Sequence, residues 1–345
     1  RVEPIYFTED APSLDGKFHD YYKNAIKYKL DDDQSYQRYW RPLQPHLEGV
    51  KKLYLAPDGI FHLINLPTLK NPATGDYLLD ELEIQYFTST QDVMEQRSEV
   101  DLKRSVLVGR PSYEIGEYRP QAVSSEGSRS FVRNFRNADI TDLPGTEAEV
   151  KAIEGALQSR GLAVSTYLKA AATEDIIYDL EAPNILHIAT HGYWSPIDGN
   201  TSSAFRSFNA LVNAGLLLSG VVNYYQAPNF GKTHDGILTA YEAQQLNLEA
   251  TDMVILSACE TGLGSFDAGE GVYGLQRAFR TAGAASIITS LWKVDDEATK
   301  DFMIAFYDHY VQSGSKPEAF RVAQTKTREQ YSHPYYWGAF VLVGK

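Results

Sequence analysis

The chain has 345 residues, of which 43% are hydrophobic and 22% charged, as expected for a globular protein of one or two packed units. A formal net charge of -13 argues against a nucleic-acid partner, because an acidic surface repels phosphates. The single cysteine excludes an internal disulfide, and neither an apolar run of about 18 residues nor a signal peptide appears, so we expect a cytoplasmic protein without a membrane partner.

Residues 1–46 combine the acidic run DDD at 31–33 with many aromatic and basic side chains. This mixture predicts one or two amphipathic helices. Because the chain begins at Arg1 rather than at methionine, we expect a helical flank or linker that belonged to a longer upstream region. An ordinary flanking helix of the same domain is the alternative.

Short strands are predicted from residue 52 onward. The first, at 52–56, ends at the turn signal PDG at 57–59, and 60–63 is predicted to return as the second strand of a hairpin. Further strands are predicted at 82–88 and 104–109. The interval 113–137 lacks periodicity, which predicts a long surface loop. We place there the boundary between an amino-terminal subdomain, 47–137, and a second subdomain, 138–345.

Helices and strands alternate regularly in the second subdomain. Thr146 with Glu149 and Thr239 with Glu242 are capping-box pairs, and Gly283 is a helix stop signal. The predicted helices are 146–159, 173–180, a short one after 239, 271–282, one from 295 or 296 to 311, and one with Pro317 in its first turn. The predicted strands are 162–167, 185–192, 214–222, 253–259, 285–291 and 340–343. This alternation predicts an α/β fold with a mostly parallel sheet between two helical layers.

Two of the predicted strands end in residues that carry chemistry. The strand ILHIATHG at 185–192 ends in His191 and Gly192, and the strand MVILSAC at 253–259 ends in Cys259, the only cysteine. Functional groups of parallel sheets collect where strands end at their carboxyl edge. A thiol and an imidazole at that edge suit a nucleophile and its proton carrier. The alternative for Cys259 is a small buried core residue, which the glycine-rich segment after the strand disfavours.

Several separated motifs resemble those of the CHAT domain family. They are LYLAPDG at 53–59, LPGTE at 143–147, HG at 191–192, LSACETG at 256–262, GEG at 269–271, SLW at 290–292 and HPYYWGAF at 333–340. The resemblance covers residues 47–344. The family is related to caspases and separases, includes bacterial cysteine peptidases and is usually fused to tetratricopeptide repeats. The resemblance therefore implies a caspase-like three-layer sandwich in which the amino-terminal half is a degenerate, pseudo-caspase-like relative of the second.

The residues and the resemblance together predict a cysteine endopeptidase. Cys259 would attack a peptide carbonyl, and His191 would supply the proton that the departing amine needs. The backbone amides of Gly192 and Cys259 are the predicted donors to the oxyanion. Glycine at 192 would leave room for the substrate backbone. The alternative for Gly192 is that it merely turns the chain.

Four carboxylates near these strand ends are predicted to bind the substrate. They belong to Asp267, Glu270, Asp235 and Asp198. Carboxylates in such loops suit a basic residue at P1, the position before the cut bond, because arginine pairs with them bidentately. For Glu270 the helix dipole alone is the stronger explanation, so Asp267 is the preferred pocket residue.

The resemblance leaves the partner and the regulation as expectations. Similar proteins cut another effector, such as a gasdermin-like pore former, under control of an upstream sensor region with tetratricopeptide repeats. The competing hypothesis is a catalytically idle caspase-like scaffold that serves as a protein interaction module. Retention of both the cysteine and the histidine argues against this scaffold.

Three other patterns have plainer explanations than a ligand. GEGVYG at 269–274 matches a dinucleotide fingerprint, but about ten loop residues separate it from the preceding strand, where the fingerprint needs none. His187 and His191 are four apart on a strand, a spacing that forms a metal-binding face only on a helix, so His187 is predicted to be a hydrogen-bonded core residue. The 23 tyrosines suit core packing better than stacking on single-stranded nucleic acid. We expect no cofactor and no metal.

Overall fold

A mostly parallel sheet forms the centre of the molecule. The computed structural model describes residues 11–94, 102–115, 140–194, 211–212, 214–226, 234–260, 269–293 and 295–345. Within these ranges the strands are β1 (Lys52–Leu55), β2 (Glu83–Tyr86), β3 (Arg104–Pro111), β4 (Ala163–Lys169), β5 (Ile185–Trp194), β6 (Ala214–Leu217), β7 (Ile237–Thr239), β8 (Met253–Glu260), β9 (Ser286–Ser290) and β10 (Phe340–Gly344). They lie in the order β1-β2-β10-β9-β8-β5-β3-β4, with β6 paired to β5 and β7 to β6. Among the pairings, β10–β9, β5–β6 and β6–β7 are antiparallel.

Helices cover both faces of the sheet. They are α1 (His19–Tyr28), α2 (Leu78–Glu81), α3 (Pro144–Gln158), α4 (Glu174–Tyr178), α5 (Val221–Gln226), α6 (Ala240–Ala243), α7 (Gly269–Thr281), α8 (Asp296–Ser313), α9 (Lys316–Gln330) and α10 (Pro334–Trp337). One core is formed with α1, α3, α8 and α9, and the other with α4, α6 and α7. The predicted α/β class with a mostly parallel central sheet is confirmed. Within the described ranges, no helix combines the length and apolarity that crossing a bilayer requires.

The neighbouring strands β5 and β8 lie inside the sheet. Their apolar residues are buried against both helical layers, which explains why both read as near-continuous hydrophobic runs. They pair in parallel from Ile185 opposite Met253 to Gly192 opposite Glu260. This pairing places the ends of β5 and β8, which hold His191 and Cys259, side by side.

The hairpin predicted at 52–63 is wrong, because β1 pairs in parallel with β2. The carboxylate of Asp58 accepts a hydrogen bond from the Gly59 amide at 2.8 Å, and Gly59 adopts φ +54°. Together they start a 3-10 helix, Gly59–His62, where a return strand was predicted. The strand predicted at 214–222 is also too long, since β6 ends at Leu217.

One of the two predicted capping boxes is present and the other is wrong. Thr239 and Glu242 cap α6 reciprocally. Helix α3 instead begins at Pro144, and the Thr146 hydroxyl donates to the Leu143 carbonyl. Because the helix already starts two residues before Thr146, Glu149 is not at a capping position. Its side chain points into the core and is 3% exposed.

Residues 11–46 pack onto the domain. Tyr22, Tyr39 and Trp40 belong to the same core cluster as Phe302, and the Tyr22 and Trp292 rings meet edge to face at 6.5 Å. Strand β3 lies between β4 and β5 although it precedes the predicted boundary at 137. The sheet therefore runs through both predicted subdomains, and the division into 1–46, 47–137 and 138–345 stays a prediction.

Replacing either of two glycines by alanine should change the free energy of unfolding, in opposite directions for the two positions. Gly283 has φ +112°, and a Cβ there would lie 2.7 Å from the Glu249 amide nitrogen, so Gly283→Ala should lower the free energy of unfolding by roughly 1–3 kcal/mol. Gly155 lies inside α3 facing open space, so Gly155→Ala should raise it by about 0.5–1 kcal/mol. Urea denaturation followed by circular dichroism measures both. Equal effects of the two variants would contradict the strained backbone at Gly283.

Candidate active site

His191 and Cys259 occupy directly opposed positions on adjacent parallel strands. His191 near the end of β5 pairs with Cys259 near the end of β8. Neighbouring strands lie roughly 4.8 Å apart, and paired positions belong to the same face of the sheet. The register therefore brings the predicted nucleophile and the predicted proton carrier together at the carboxyl edge.

The imidazole of His191 is held through one nitrogen. Its Nε2 lies 2.7 Å from the backbone carbonyl oxygen of Thr141, and the residue is only 1% exposed. A carbonyl oxygen only accepts hydrogen bonds, so Nε2 carries the hydrogen and the neutral ring has its lone pair on Nδ1. Nδ1 is buried and has no hydrogen-bond partner among the described residues. It is thus available to take a proton.

Tyr113 supports His191 from the side. Its ring centroid lies 5.2 Å from that of the imidazole, and its hydroxyl accepts a hydrogen bond from the His191 amide at 3.3 Å. The Thr190 hydroxyl donates to the Leu217 carbonyl, so the Tyr113 hydroxyl must donate to Thr190, 3.0 Å away. Burial raises the pKa of Tyr113 to about 12, which keeps this donor protonated. The chain of hydrogen bonds fixes the backbone at His191.

The surroundings of His191 favour its neutral form. Burial lowers its pKa below the usual value, the Thr141 carbonyl raises the pKa by a smaller amount, and the positive charge of Lys293 lowers it further. The imidazole is therefore unprotonated near pH 7. A neutral ring with a free Nδ1 is the form that can deprotonate a thiol.

The loop that carries the Thr141 carbonyl is braced by Arg110. This side chain, just before the end of β3, pairs with Asp142 at 2.6 Å and with Glu147 at 2.8 Å. Its backbone amide donates to the Thr146 hydroxyl at 2.9 Å, and its φ is +42°. These contacts hold the loop before α3 against the end of β3.

Comparison with known proteins places the chain in a family. The CHAT domain profile matches residues 33–345. The chain belongs to the CHAT domain family. Tetratricopeptide repeat protein 28 of Homo sapiens is 25% identical in an alignment of 309 residues that covers 85% of this chain and 12% of that protein. The Mus musculus protein of the same name is 23% identical over the same shares. This CHAT domain therefore spans about an eighth of the curated relatives it matches.

Solved structures that resemble this chain include a cysteine proteinase and a separase complex. The Arg-specific cysteine proteinase gingipain R is 13% identical, with a TM-score of 0.49 over all of this chain and 79% of that chain. The Saccharomyces cerevisiae separase–securin complex is also 13% identical, with a TM-score of 0.43 over 84% of this chain and 15% of that chain.

Gly192 does not turn the chain. Strand β5 continues through it to Trp194, and Gly192 pairs with Leu216 on one side and Glu260 on the other. The alternative explanation for this glycine is therefore wrong. Its proposed role as an oxyanion donor, together with the Cys259 amide, stays a prediction.

The CHAT domain's predicted substrate carboxylates are only partly described. Asp235 precedes β7, and its Oδ1 accepts a hydrogen bond from the Ile237 amide at 2.9 Å. Glu270 lies in the first turn of α7, and its side chain is outside the described part of the structure. Asp198 and Asp267 both lie outside the described residues. The role of these four carboxylates in substrate binding stays a prediction.

Sequence reasoning missed the groups that hold His191. Thr141 acts through its backbone carbonyl, for which side-chain patterns offer no signal. Tyr113 was assigned to a surface loop, but it is 5% exposed and packs on the imidazole. His187 is buried and hydrogen-bonded through both nitrogens, to Glu149 and Tyr307, as predicted for a core histidine. The described residues contain no cluster of three or more potential metal ligands.

The lowered pKa of His191 makes a prediction about acid stability. Its folded-state pKa lies below the unfolded value of about 6.5, so the unfolded chain takes up the proton first as the pH falls. The stability that depends on neutral His191 is lost as the pH falls from about 6.5 through this lower folded pKa. In urea denaturation, the free energy of unfolding of His191→Asn should fall less than that of wild type as the pH falls from 7 to the folded-state pKa of His191.

The control is His46→Asn, since His46 is exposed. We expect it to leave the pH dependence of stability unchanged. A proton NMR titration of the histidines, with the His191 signal assigned by its absence in His191→Asn, reports the same pKa directly. A midpoint at or above the usual histidine value would contradict the geometry described above.

Proposed function

We propose that this CHAT domain is a cysteine endopeptidase that cuts a protein substrate through a His191–Cys259 dyad. The observation that carries the proposal is the pairing of these two residues at one sheet edge, with the Nδ1 lone pair of His191 free of partners in the described structure. Family membership supports a peptidase-type fold. The roles of both residues follow from their chemistry.

The reaction begins with proton transfer. A free cysteine has a pKa of about 8.5 and is mostly protonated at neutral pH, and Nδ1 of His191 takes this proton. The Cys259 thiolate attacks the peptide carbonyl, and the amides of Gly192 and Cys259 stabilise the resulting oxyanion. The imidazolium then gives its proton to the departing amine, which leaves a thioester on Cys259. His191 finally deprotonates a water molecule that attacks the thioester, and it returns this proton to the Cys259 sulfur as the C–S bond breaks and the carboxylic acid product leaves.

The Thr141 carbonyl contributes to both directions of proton transfer. Its hydrogen bond to Nε2 keeps the hydrogen there, so Nδ1 is always the nitrogen that exchanges a proton. The same bond raises the pKa of His191, which stabilises the imidazolium after the thiol has been deprotonated. Burial acts in the opposite direction and favours return of the proton to the leaving group.

The substrate and its control extend the proposal. We expect a basic P1 residue, bound by Asp267 and assisted by Asp235, Glu270 and Asp198, in a protein such as a gasdermin-like pore former. The name of the mammalian relatives supports control by an upstream tetratricopeptide repeat region. The single cysteine suits a reducing, cytoplasmic setting.

Covalent labelling tests the dyad. Because Cys259 is the only cysteine, one added mass after treatment with a peptidyl acyloxymethyl ketone reports on this thiol. Wild type should form a single adduct, and His191→Ala should react at least about a hundredfold more slowly, since the general base is lost. Intact-protein mass spectrometry over time measures both rates.

Cys259→Ala is the control for labelling elsewhere and should give no adduct. Equal labelling of wild type and His191→Ala, or no adduct with any peptide, would contradict an activated thiol. Equal processing of a protein partner by wild type and Cys259→Ala would overturn the peptidase proposal.

The P1 residue of the labelling peptide tests substrate preference. Arginine or lysine should label Cys259 faster than leucine or aspartate, and Asp267→Asn should reduce this preference roughly tenfold because a charge-assisted pair is lost. Asp235→Asn should have a smaller effect, since its carboxylate already bonds to the Ile237 amide. The exposed Asp308 in α8 provides the control Asp308→Asn. Fastest labelling by an apolar or acidic P1 would overturn the basic preference.

A further inference from the structure

A chain of buried polar side chains lies beneath the candidate dyad. His187 Nε2 is 3.1 Å from Glu149 Oε1, and His187 Nδ1 is 3.3 Å from the Tyr307 hydroxyl. The Ser257 hydroxyl donates to the other carboxylate oxygen of Glu149 at 3.1 Å. All four side chains are at most 6% exposed. We call Tyr307, His187, Glu149 and Ser257 the buried network.

The buried network uses the same two strands as the dyad. Ser257 lies two residues before Cys259 on β8, and His187 lies four residues before His191 on β5. Side chains two apart on a strand share a face, so the network is on the dyad's face of the sheet. Ala189 lies between the two histidines and pairs with Ser257. Glu149 therefore links β5 to β8 through hydrogen bonds to residues that precede His191 and Cys259 on the same face of the sheet.

The buried network also reaches the loop that holds His191. Glu149 belongs to α3, which starts at Pro144, three residues after the Thr141 carbonyl. Glu149 is the polar contact of this helix with both strands, and Arg110 braces the same loop from β3. The position of Thr141 relative to His191 thus depends on where α3 lies on the sheet.

We infer that Glu149 is a positioning residue for the dyad. Its carboxylate binds His187 and Ser257 and so fixes α3 against β5 and β8. The helix in turn places the Thr141 carbonyl against Nε2 of His191, which keeps the lone pair on Nδ1. Glu149 contacts no reacting atom, and it acts through Ser257, His187 and Thr141. This inference rests on the dyad of the proposed function.

Stability alone gives little reason for such a network. Apolar side chains of similar size hold helices on sheets elsewhere in this core, as Val150 and Ile153 of α3 do. A carboxylate with 3% exposure needs all of its hydrogen bonds to offset the loss of hydration. Hydrogen bonds, however, fix direction and register in a way that apolar contacts do not. The buried network next to His191 and Cys259 therefore fixes the positions of α3, β5 and β8 relative to one another.

The experiment compares Glu149→Gln with a matched control at another carboxylate beside β8. Glu149→Gln keeps the shape but removes the charge and one acceptor. The control is Asp252→Asn, because Asp252 precedes β8 at its other end and binds Lys316 at 2.6 Å and the Tyr310 hydroxyl. Two readouts are used: the pH dependence of Cys259 alkylation by iodoacetamide, and the NMR titration of His191.

For Glu149→Gln we expect alkylation of Cys259 at pH 7 to slow about tenfold, with the midpoint of its pH profile about one unit higher. The His191 titration should move further below the usual histidine value, since the hydrogen bond to the Thr141 carbonyl, which raises the pKa of His191, is loosened. Asp252→Asn should change thermal stability but neither readout. The same changes in both variants, or none in Glu149→Gln, would overturn the inference.

Ser257→Ala keeps the test decisive if Glu149→Gln does not fold. It removes one hydrogen bond, leaves the Glu149–His187 pair and should shift both readouts in the same direction by a smaller amount. An unchanged His191 titration in Ser257→Ala would then overturn the inference. If wild-type Cys259 alkylates no faster than a free thiol, the proposed peptidase fails, while a His191 shift in Glu149→Gln or Ser257→Ala would still establish the positioning role.

Discussion

The parallel ladder between β5 and β8 is the constraint on which the candidate site depends. It runs without interruption from Ile185 opposite Met253 to Gly192 opposite Glu260. A slip of one residue would move His191 to the other face of the sheet and away from Cys259. Burial of both strands between two helical layers prevents that slip, because every apolar side chain of the shifted strand would move from one core cluster to the other. The hydrophobic core thus determines which polar residues meet at the edge.

The two faces of this ladder contribute different things. On one face, α3, α8 and α9 cover an apolar core that includes the buried network under the dyad. On the other face, Thr190 points toward β6 and, through Tyr113, holds the backbone at His191. The imidazole is therefore fixed by contacts from both sides of its own strand. In the proposed dyad, a base held in this way would lose little freedom when it reacts.

Much of the fold could be predicted because its strands are long apolar runs with clear ends. His191 and Cys259 stand out for the same reason, since each closes such a run. The groups that orient His191 could not be predicted, because they are distant in the chain and have no local signature. Thr141 lies 50 residues away and Tyr113 lies 78 residues away. Glu149 shows the limit most clearly, since its spacing from Thr146 is that of a capping box while tertiary contacts turn it inward.

The chemistry of His191 reflects a balance between burial and one hydrogen bond. Burial disfavours the imidazolium and leaves the ring ready to accept a proton near neutral pH, whereas the Thr141 carbonyl favours the imidazolium. If burial acted alone, the ring would accept a proton poorly. If the carbonyl acted alone, more of the ring would already be charged before the thiol could be deprotonated. The short distance between the Thr141 carbonyl oxygen and Nε2 of His191 therefore affects the proposed proton transfer itself. Helix α3 lies far in sequence from both His191 and Cys259, and its packing on the sheet maintains this distance.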